Sequence, residues 1–183
     1  ISSETEYASP GYSTNTTAEI VNRSDIPAKL TKIQYLPSGH MIEFDTLLWN
    51  NNKFEHEVEL DIAPDSPLSS PYWLNEKASL GMYYVSDQLL RGVPENDRPV
   101  QAVFNFKIMD KDYSVKTDLI YKRNDPVKGE VYQPFEIIPA LSVNLTEDVY
   151  IFPDEKSKII EVVVKAGIDN AQGELTLEHP ESW

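Results

Sequence analysis

The strongest structural signal in this chain is VFNFKIMDKDYSVKTDLIYK, which spans residues 103–122. Apolar side chains occupy every second position over residues 104–108, as expected of a strand with one buried face. The same alternation resumes over residues 113–121, and residues 110–112 supply a short polar connection between the two runs. Two alternating runs joined by a tight polar turn predict a β-hairpin.

Strand-like patterns also lie on both sides of this hairpin. Further strands are expected over residues 16–21, 28–35, 41–49, 54–62 and 160–164, and, after a turn over residues 167–173, at Leu175 and Leu177. Asn-rich segments at 22–25 and 50–52 are suited to turns between strands. Thirteen prolines disfavour long helices, and the best helical candidate is only the short segment 86–91. The sequence therefore predicts an all-β protein built from immunoglobulin-like β-sandwiches.

The number of expected strands divides the chain into two modules. Residues 1–126 contain roughly seven strand candidates, the usual number for an immunoglobulin-type sandwich. Residues 127–139, rich in Pro and Gly, are expected to be a linker. Residues 140–183 hold too few strands for a second sandwich, so this module is predicted to be truncated. Because the chain opens on Ile1 and stops directly after a strand-like segment, it is expected to be a region of a longer protein.

Composition excludes several classes of function. The net charge of −14 leaves no basic patch for nucleic acid or for an anionic membrane surface. The absence of cysteine excludes disulfides, thiolate metal sites and cysteine nucleophiles. No apolar run approaches the ~20 residues that a membrane-spanning helix needs, so membrane insertion is not expected.

Several short motifs together resemble a known family. They are PYWL at 71–74, LGMY at 80–83, GVPEN at 92–96, DPVKGEVYQP at 125–134, VNL at 143–145 and VYIFP at 149–153. In this order they resemble the region downstream of the catalytic domain in large Bacteroidetes proteins of the PIG-L family, which are LmbE-like deacetylases of the N-acetylglucosamine type. The resemblance covers most of the chain from about Val21 onward.

The resemblance implies a β-sandwich region attached to a zinc-dependent deacetylase domain in an exported protein, periplasmic or extracellular. That catalytic domain carries an Ala-His-Pro-Asp-Asp motif and a His-x-x-His pair, and neither occurs here. The single His-Pro, at His179, is followed by Glu181 and Ser182 rather than two aspartates. Zinc is therefore expected only in the catalytic domain outside these residues, and that domain is the expected partner. No catalytic residue, metal ligand or cofactor is expected in this chain.

The histidines and acidic residues favour no catalytic or metal site. His40, His56 and His179 lie far apart, and His56 should point away from its neighbouring glutamates along a strand. They are expected to be exposed strand histidines rather than zinc ligands. Asp110 with Asp112, or Asp61 with Asp65, could suit calcium, but neither pair matches an EF-hand loop.

An aromatic cluster remains as the candidate site. Its members are Tyr72, Trp73, Tyr83 and Tyr84, with Asn75, Asp87 and Gln88 as nearby polar side chains. Rings flanked by hydrogen-bonding groups could bind a sugar face. The favoured interpretation is instead that these rings close one end of the sandwich or dock against the catalytic domain. The predicted ligand or docking surface comprises Tyr72, Trp73, Tyr83, Tyr84 and Asp87.

Three functional hypotheses follow. The first is a structural or interaction module that spaces, orients or stabilises a deacetylase domain. The alternative is a carbohydrate-binding module that directs the parent enzyme to a glycan, and a third is an independent hydrolase that uses a carboxylate pair. An incomplete second sandwich would also leave strand edges over residues 159–164 unpaired, which predicts packing on the first module or self-association with another copy.

Overall fold

A computed structural model describes residues 1–153 and 156–179. The chain is nearly all β, which confirms the predicted fold class. It divides into two compact units, Ile1–Ile138 and Pro139–Trp183.

The first unit contains eleven strands and two 3₁₀ turns. These are β1 (Ser2–Ser3), β2 (Tyr7–Ala8), β3 (Ser13–Val21), β4 (Ala28–Leu36), β5 (Met41–Leu48), β6 (Lys53–Asp61), η1 (Tyr72–Leu74), η2 (Gln88–Leu90), β7 (Gln101–Ile108), β8 (Lys111–Asp118), β9 (Ile120–Asp125), β10 (Gly129–Pro134) and β11 (Glu136–Ile137). The four strands expected in the first third are confirmed with small shifts at their ends. The candidate helix over residues 86–91 is the short turn η2.

Two larger sheets form the body of this unit. One has the strand order β10-β9-β1-β3-β6, and the other has the order β5-β4-β7-β8. A small parallel pair, β11 with β2, accompanies them. The largest fully buried hydrophobic side chains, which come from strands and strand ends of both sheets, are Tyr35, Phe135, Leu30, Ile33 and Leu119. Burying each such side chain contributes about 1.5–3 kcal/mol relative to leaving it exposed, so this core stabilises the sandwich.

The predicted hairpin is confirmed as β7 and β8, but its turn and its end differ from the expectation. The turn lies at Met109 and Asp110, which have φ values of 47° and 62°, and Ile108 pairs directly with Lys111. Two central residues with positive φ are the mark of a type I′ hairpin turn. The second strand does not run on to residue 121. It ends before Leu119, whose buried side chain and N–H···O bond to Val100 (2.9 Å) lead the chain into the other sheet.

The segment over residues 127–139 was expected to be a linker, and up to Ile138 it is part of the first unit instead. Strand β10 pairs antiparallel with β9, and Phe135 and Ile137 are buried. The Gly-containing stretch that suggested a linker is the turn between β9 and β10. Hydrogen bonds from the backbone N–H groups of Lys128 and Val127 to the Asp125 carboxylate fix this turn and lower the pKa of that carboxyl.

The second unit contains one antiparallel pair, β12 (Leu141–Leu145) with β13 (Val162–Ala166). Most of its apolar residues share one face, since Val143 lies opposite Val164 and Leu145 lies opposite Val162. The strand expected at Leu175 and Leu177 is not formed, because the described residues after β13 contain no strand. This sheet has two strands. The incomplete second sandwich stays a prediction, and so does the packing of its strand edges on the first module or on another copy.

Candidate functional site

The candidate site lies in the long excursion between β6 and β7, residues 62–100. Prolines at 64, 67, 71, 94 and 99 remove backbone donors, so this segment makes no sustained ladder. It is anchored to strand β11 by two hydrogen bonds. The Ser69 N–H donates to the Ile137 carbonyl (2.8 Å), and the Ile137 N–H donates to Ser69 Oγ (2.9 Å).

Tyr72 and Trp73 form a fixed ring pair within this excursion. Their ring centroids are 5.0 Å apart and the planes are nearly perpendicular, at 86°. The Tyr72 hydroxyl donates to the carbonyl of Val93 (3.0 Å), and the Tyr72 N–H donates to Asn96 Oδ1 (2.9 Å). Asn96 Nδ2 in turn donates to the carbonyl of Ser70. Hydrogen bonds therefore fix Tyr72 at its backbone N–H and at its hydroxyl. Its ring packs against the Trp73 ring in a perpendicular contact.

Trp73 lines a cleft of about 800 Å³ in the first unit. Four prolines, at 67, 71, 94 and 99, form much of its wall, and its polar side chains include Asn75, Asn96 and Arg98. Glu136, at the start of β11, also lines the cleft, although it lies outside the excursion in the sequence. This volume falls in the range of small-ligand sites.

Carboxylates outnumber cations in this cleft. Glu95, Asp97 and Glu136 line it, and the one Lys or Arg among the lining residues is Arg98, which is paired with Glu95. Asp97 and Glu136 therefore remain as two carboxylates that have no ion pair within residues 1–153 and 156–179. The cleft is acidic.

The other predicted members of the cluster lie outside the cleft. Tyr83 and Tyr84 are exposed and make no ring contact in the described part of the chain. Asp87 caps η2, where its Oδ1 accepts a hydrogen bond from the Leu89 N–H (2.9 Å). The structure thus brings Tyr72 and Trp73 together and leaves the other three apart from them.

Sequence reasoning missed Asn96 and Glu136 as members of the site. Asn96 stood within the motif GVPEN, but nothing in the sequence indicated that its amide would hold the backbone on either side of Pro71. Glu136 lay in the expected linker. A signal for it would have required recognising that β11 is a strand.

Large apolar side chains are exposed on the same excursion. Leu80 is 105% exposed and Leu89 is 86% exposed, and Met82 lies between them in the sequence, also exposed. Together with Tyr83 and Tyr84, these residues are called the apolar surface below. Such concentrations of exposed apolar side chains are typical of interaction sites.

His40 and His56, the two histidines of the first unit, do not line the cleft. His56 was expected to be exposed, but it is half-buried on the inner side of β6 and its ring packs edge-on against Phe44 at 5.1 Å. His40 is exposed, and the residues that follow His179 lie outside the described ranges. Among residues 1–153 and 156–179, no group of three or more His, Cys, Asp or Glu side chains is placed to hold a metal ion. Asp61 and Asp65, one of the two candidate calcium pairs, line a separate cavity of about 300 Å³.

None of the helical segments in the described part of the chain has the length and apolar character of a membrane-spanning helix. Comparisons with protein-family models, with curated proteins and with solved structures find no match. The relationship to PIG-L deacetylases therefore stays a prediction.

Proposed function

We propose that this chain is a non-catalytic accessory module, immunoglobulin-like in its first unit, that docks to an N-acetylglucosamine-type deacetylase domain of the same polypeptide. The zinc ion and the reaction would belong to that catalytic domain, and the parent protein would be exported. The motif resemblance supplies the identity of the partner.

The strand order supports the immunoglobulin-like part of the proposal. The order β5-β4-β7-β8 corresponds to strands C′-C-F-G of such a sandwich, and β1-β3-β6 corresponds to A-B-E. The additional pair β9 and β10 extends the second sheet beyond the β1 strand.

The apolar surface carries the docking part of the proposal. Leu80, Met82 and Leu89 project from a segment whose backbone is fixed by polar contacts rather than by burial of these side chains. The Ser86 N–H donates to Glu76 Oε1 (3.0 Å), and the Arg91 guanidinium donates to the carbonyl of Val85. Exposed apolar groups on a fixed framework can be buried by a partner at small entropic cost.

The test is binding of this chain to the separately produced catalytic domain of its parent polypeptide, measured by calorimetry and by co-elution. Replacing Leu80, Met82 and Leu89 together by serine should weaken binding about a hundredfold or more, since each loses ~1 kcal/mol or more of buried apolar contact. The matched control is Val127→Ser, because Val127 is 93% exposed on the distant β9–β10 turn.

Two results would contradict the proposal. One is equal binding by the triple variant and the control. The other is release of acetate from N-acetylglucosamine substrates by this chain alone.

A further inference from the structure

Three polar side chains in the cleft around Trp73 are not used by the fold. Asn75, Asp97 and Glu136 line the cleft, and their side chains make no hydrogen bond or ion pair within the described residues. Asn96 and Arg98 differ, since the Asn96 amide holds Tyr72 and Ser70 and the Arg98 guanidinium pairs with Glu95. The cleft therefore combines polar groups committed to its shape with polar groups free for a ligand.

The aromatic floor of the cleft is oriented before any ligand arrives. Trp73 is only half-buried, so part of its ring is open to the cleft, while Tyr72 supports it in a perpendicular contact. An indole face is apolar and electron-rich, and it attracts the positively polarised edge of a neighbouring group. The C–H groups on one face of a pyranose ring have that character.

The free polar groups match the rim of the same ring. Sugar hydroxyls are both donors and acceptors, so they need a mixture of amide and carboxylate partners. Asn75 offers a donor and an acceptor, whereas Asp97 and Glu136 offer acceptors. The prolines in the wall restrict backbone motion, which lowers the entropic cost of holding a ligand.

Charge restricts the class of sugar. Arg98 pairs with Glu95, and no Lys or Arg in the described part of the chain forms an ion pair with Asp97 or Glu136. A carboxylate- or sulfate-bearing saccharide would be repelled by both, whereas a neutral or amino-bearing one would not.

We propose that the cleft lined by Trp73, Asn75, Asp97 and Glu136 is a binding site for a non-acidic oligosaccharide. This site is distinct from the apolar surface, so it would add glycan recognition to the docking function rather than replace it.

The experiment titrates the intact chain, by calorimetry, with four probes: cellotetraose, the trimer of N-acetylglucosamine, the trimer of glucosamine and the trimer of galacturonic acid. At least one of the first three should bind, and the galacturonate trimer should bind at least roughly fivefold more weakly. Trp73→Ala should abolish binding. Trp49→Ala is the matched control, because Trp49 is 56% exposed just after β5 and does not line the cleft.

A second pair of variants guards against loss of the fold in Trp73→Ala. Asn75→Ala removes an exposed amide without an internal partner, and it should weaken binding of the preferred probe while leaving thermal unfolding unchanged. Replacing Asp97 by Asn and Glu136 by Gln together should reduce the discrimination against the galacturonate trimer.

The proposal is overturned if none of the first three probes binds, or if the galacturonate trimer binds as tightly as the best of those three. It is overturned equally if binding is unchanged in both Trp73→Ala and Asn75→Ala. Loss of binding in Trp49→Ala but not in Asn75→Ala would assign the sugar to another surface.

Discussion

The side-chain oxygen of Asn96 accepts a hydrogen bond from the backbone N–H of Tyr72 at 2.9 Å. The same amide donates to the carbonyl of Ser70, so one side chain holds the chain on both sides of Pro71. The part of the excursion around Pro71 is thereby connected to the part around Asn96, at the point where the Tyr72–Trp73 ring pair begins. This amide and the bonds between Ser69 and Ile137 hold the segment that lines the cleft.

Asn96→Ala is expected to lower the free energy of unfolding by about 1–3 kcal/mol, because it leaves a partly buried N–H and carbonyl without partners. Cleavage within residues 70–96 by a low concentration of protease should also become faster. Urea unfolding and limited proteolysis measure the two effects. Asn75→Ala removes an amide from the same excursion, and its free energy of unfolding should stay within about 0.5 kcal/mol of that of the unsubstituted chain. Equal effects of the two substitutions would show that Asn96 does not organise the excursion.

Residues that prefer positive φ should stabilise the fold when they are placed in the turn between β7 and β8. Met109 adopts φ 47° and Asp110 adopts φ 62°. Replacing the pair by Asn-Gly should raise the free energy of unfolding by about 0.5–1 kcal/mol, because these residues are favoured in type I′ turns. Asp110→Val, which adds a β-branched side chain at positive φ, should have the opposite sign. Chemical unfolding followed by circular dichroism would detect both, and a stabilising Asp110→Val would contradict the assigned turn.

Phe135→Ala tests whether the segment that follows β10 belongs to the first unit. Phe135 is fully buried, so its truncation should cost about 3–5 kcal/mol of unfolding free energy. Tyr132→Ala is the comparison, since Tyr132 is an exposed aromatic residue on neighbouring β10. A linker residue would give no such difference, so similar midpoints for the two variants in thermal unfolding would rule out the observed packing.

Alkaline pH should weaken the fold through Tyr35. Burial raises the pKa of Tyr35 from 10.0 to about 12, because the phenolate would be poorly solvated. The folded state thus binds the Tyr35 proton more tightly than the unfolded state does. The protonated hydroxyl therefore contributes stability that is fully present below pH 10 and is lost as the pH rises towards 12.

The Tyr35 hydroxyl has no hydrogen-bond partner among the described residues, so Tyr35→Phe should be close to neutral or slightly stabilising at pH 7. The same substitution should remove part of the loss of stability between pH 10 and 12. Unfolding by urea at pH 7, 10 and 11.5 makes the comparison. If both proteins lost stability in parallel over that interval, Tyr35 would not be the group responsible.

A strand could be predicted correctly only where the alternation of apolar and polar residues ended at the same residue as the strand. It did so for β7, and the polar residues that followed indicated that a turn was near, although the turn itself lies at Met109 and Asp110. It did not do so at Leu119, because apolar and polar residues continue to alternate while the chain crosses from one sheet to the other. Period-2 patterns report which side chains are buried and do not report which sheet buries them.

The candidate site was predictable only in part for a related reason. Tyr72 and Trp73 are adjacent in sequence, and their aromatic character alone drew attention to them. Glu136 reaches the cleft because β11 pairs with β2 and is anchored to Ser69, and these are long-range contacts that leave no local pattern. Tyr83 and Tyr84 were predicted to be members of the cluster because they are near in sequence, although neither lines the cleft.

Strand β1 lies between β3 and β9, antiparallel to the first and parallel to the second, with Ser2 opposite both Thr17 and Ile120. During synthesis on a ribosome, residues 2–3 emerge long before the residues that form their second neighbour. The five-stranded sheet therefore has a gap until β9 has been made, and pairings with such wide separation form slowly. Until that moment the edge of β1 that later pairs with β9 is open to other polypeptides, so a chaperone acting on this protein would be most useful before residue 120 is released.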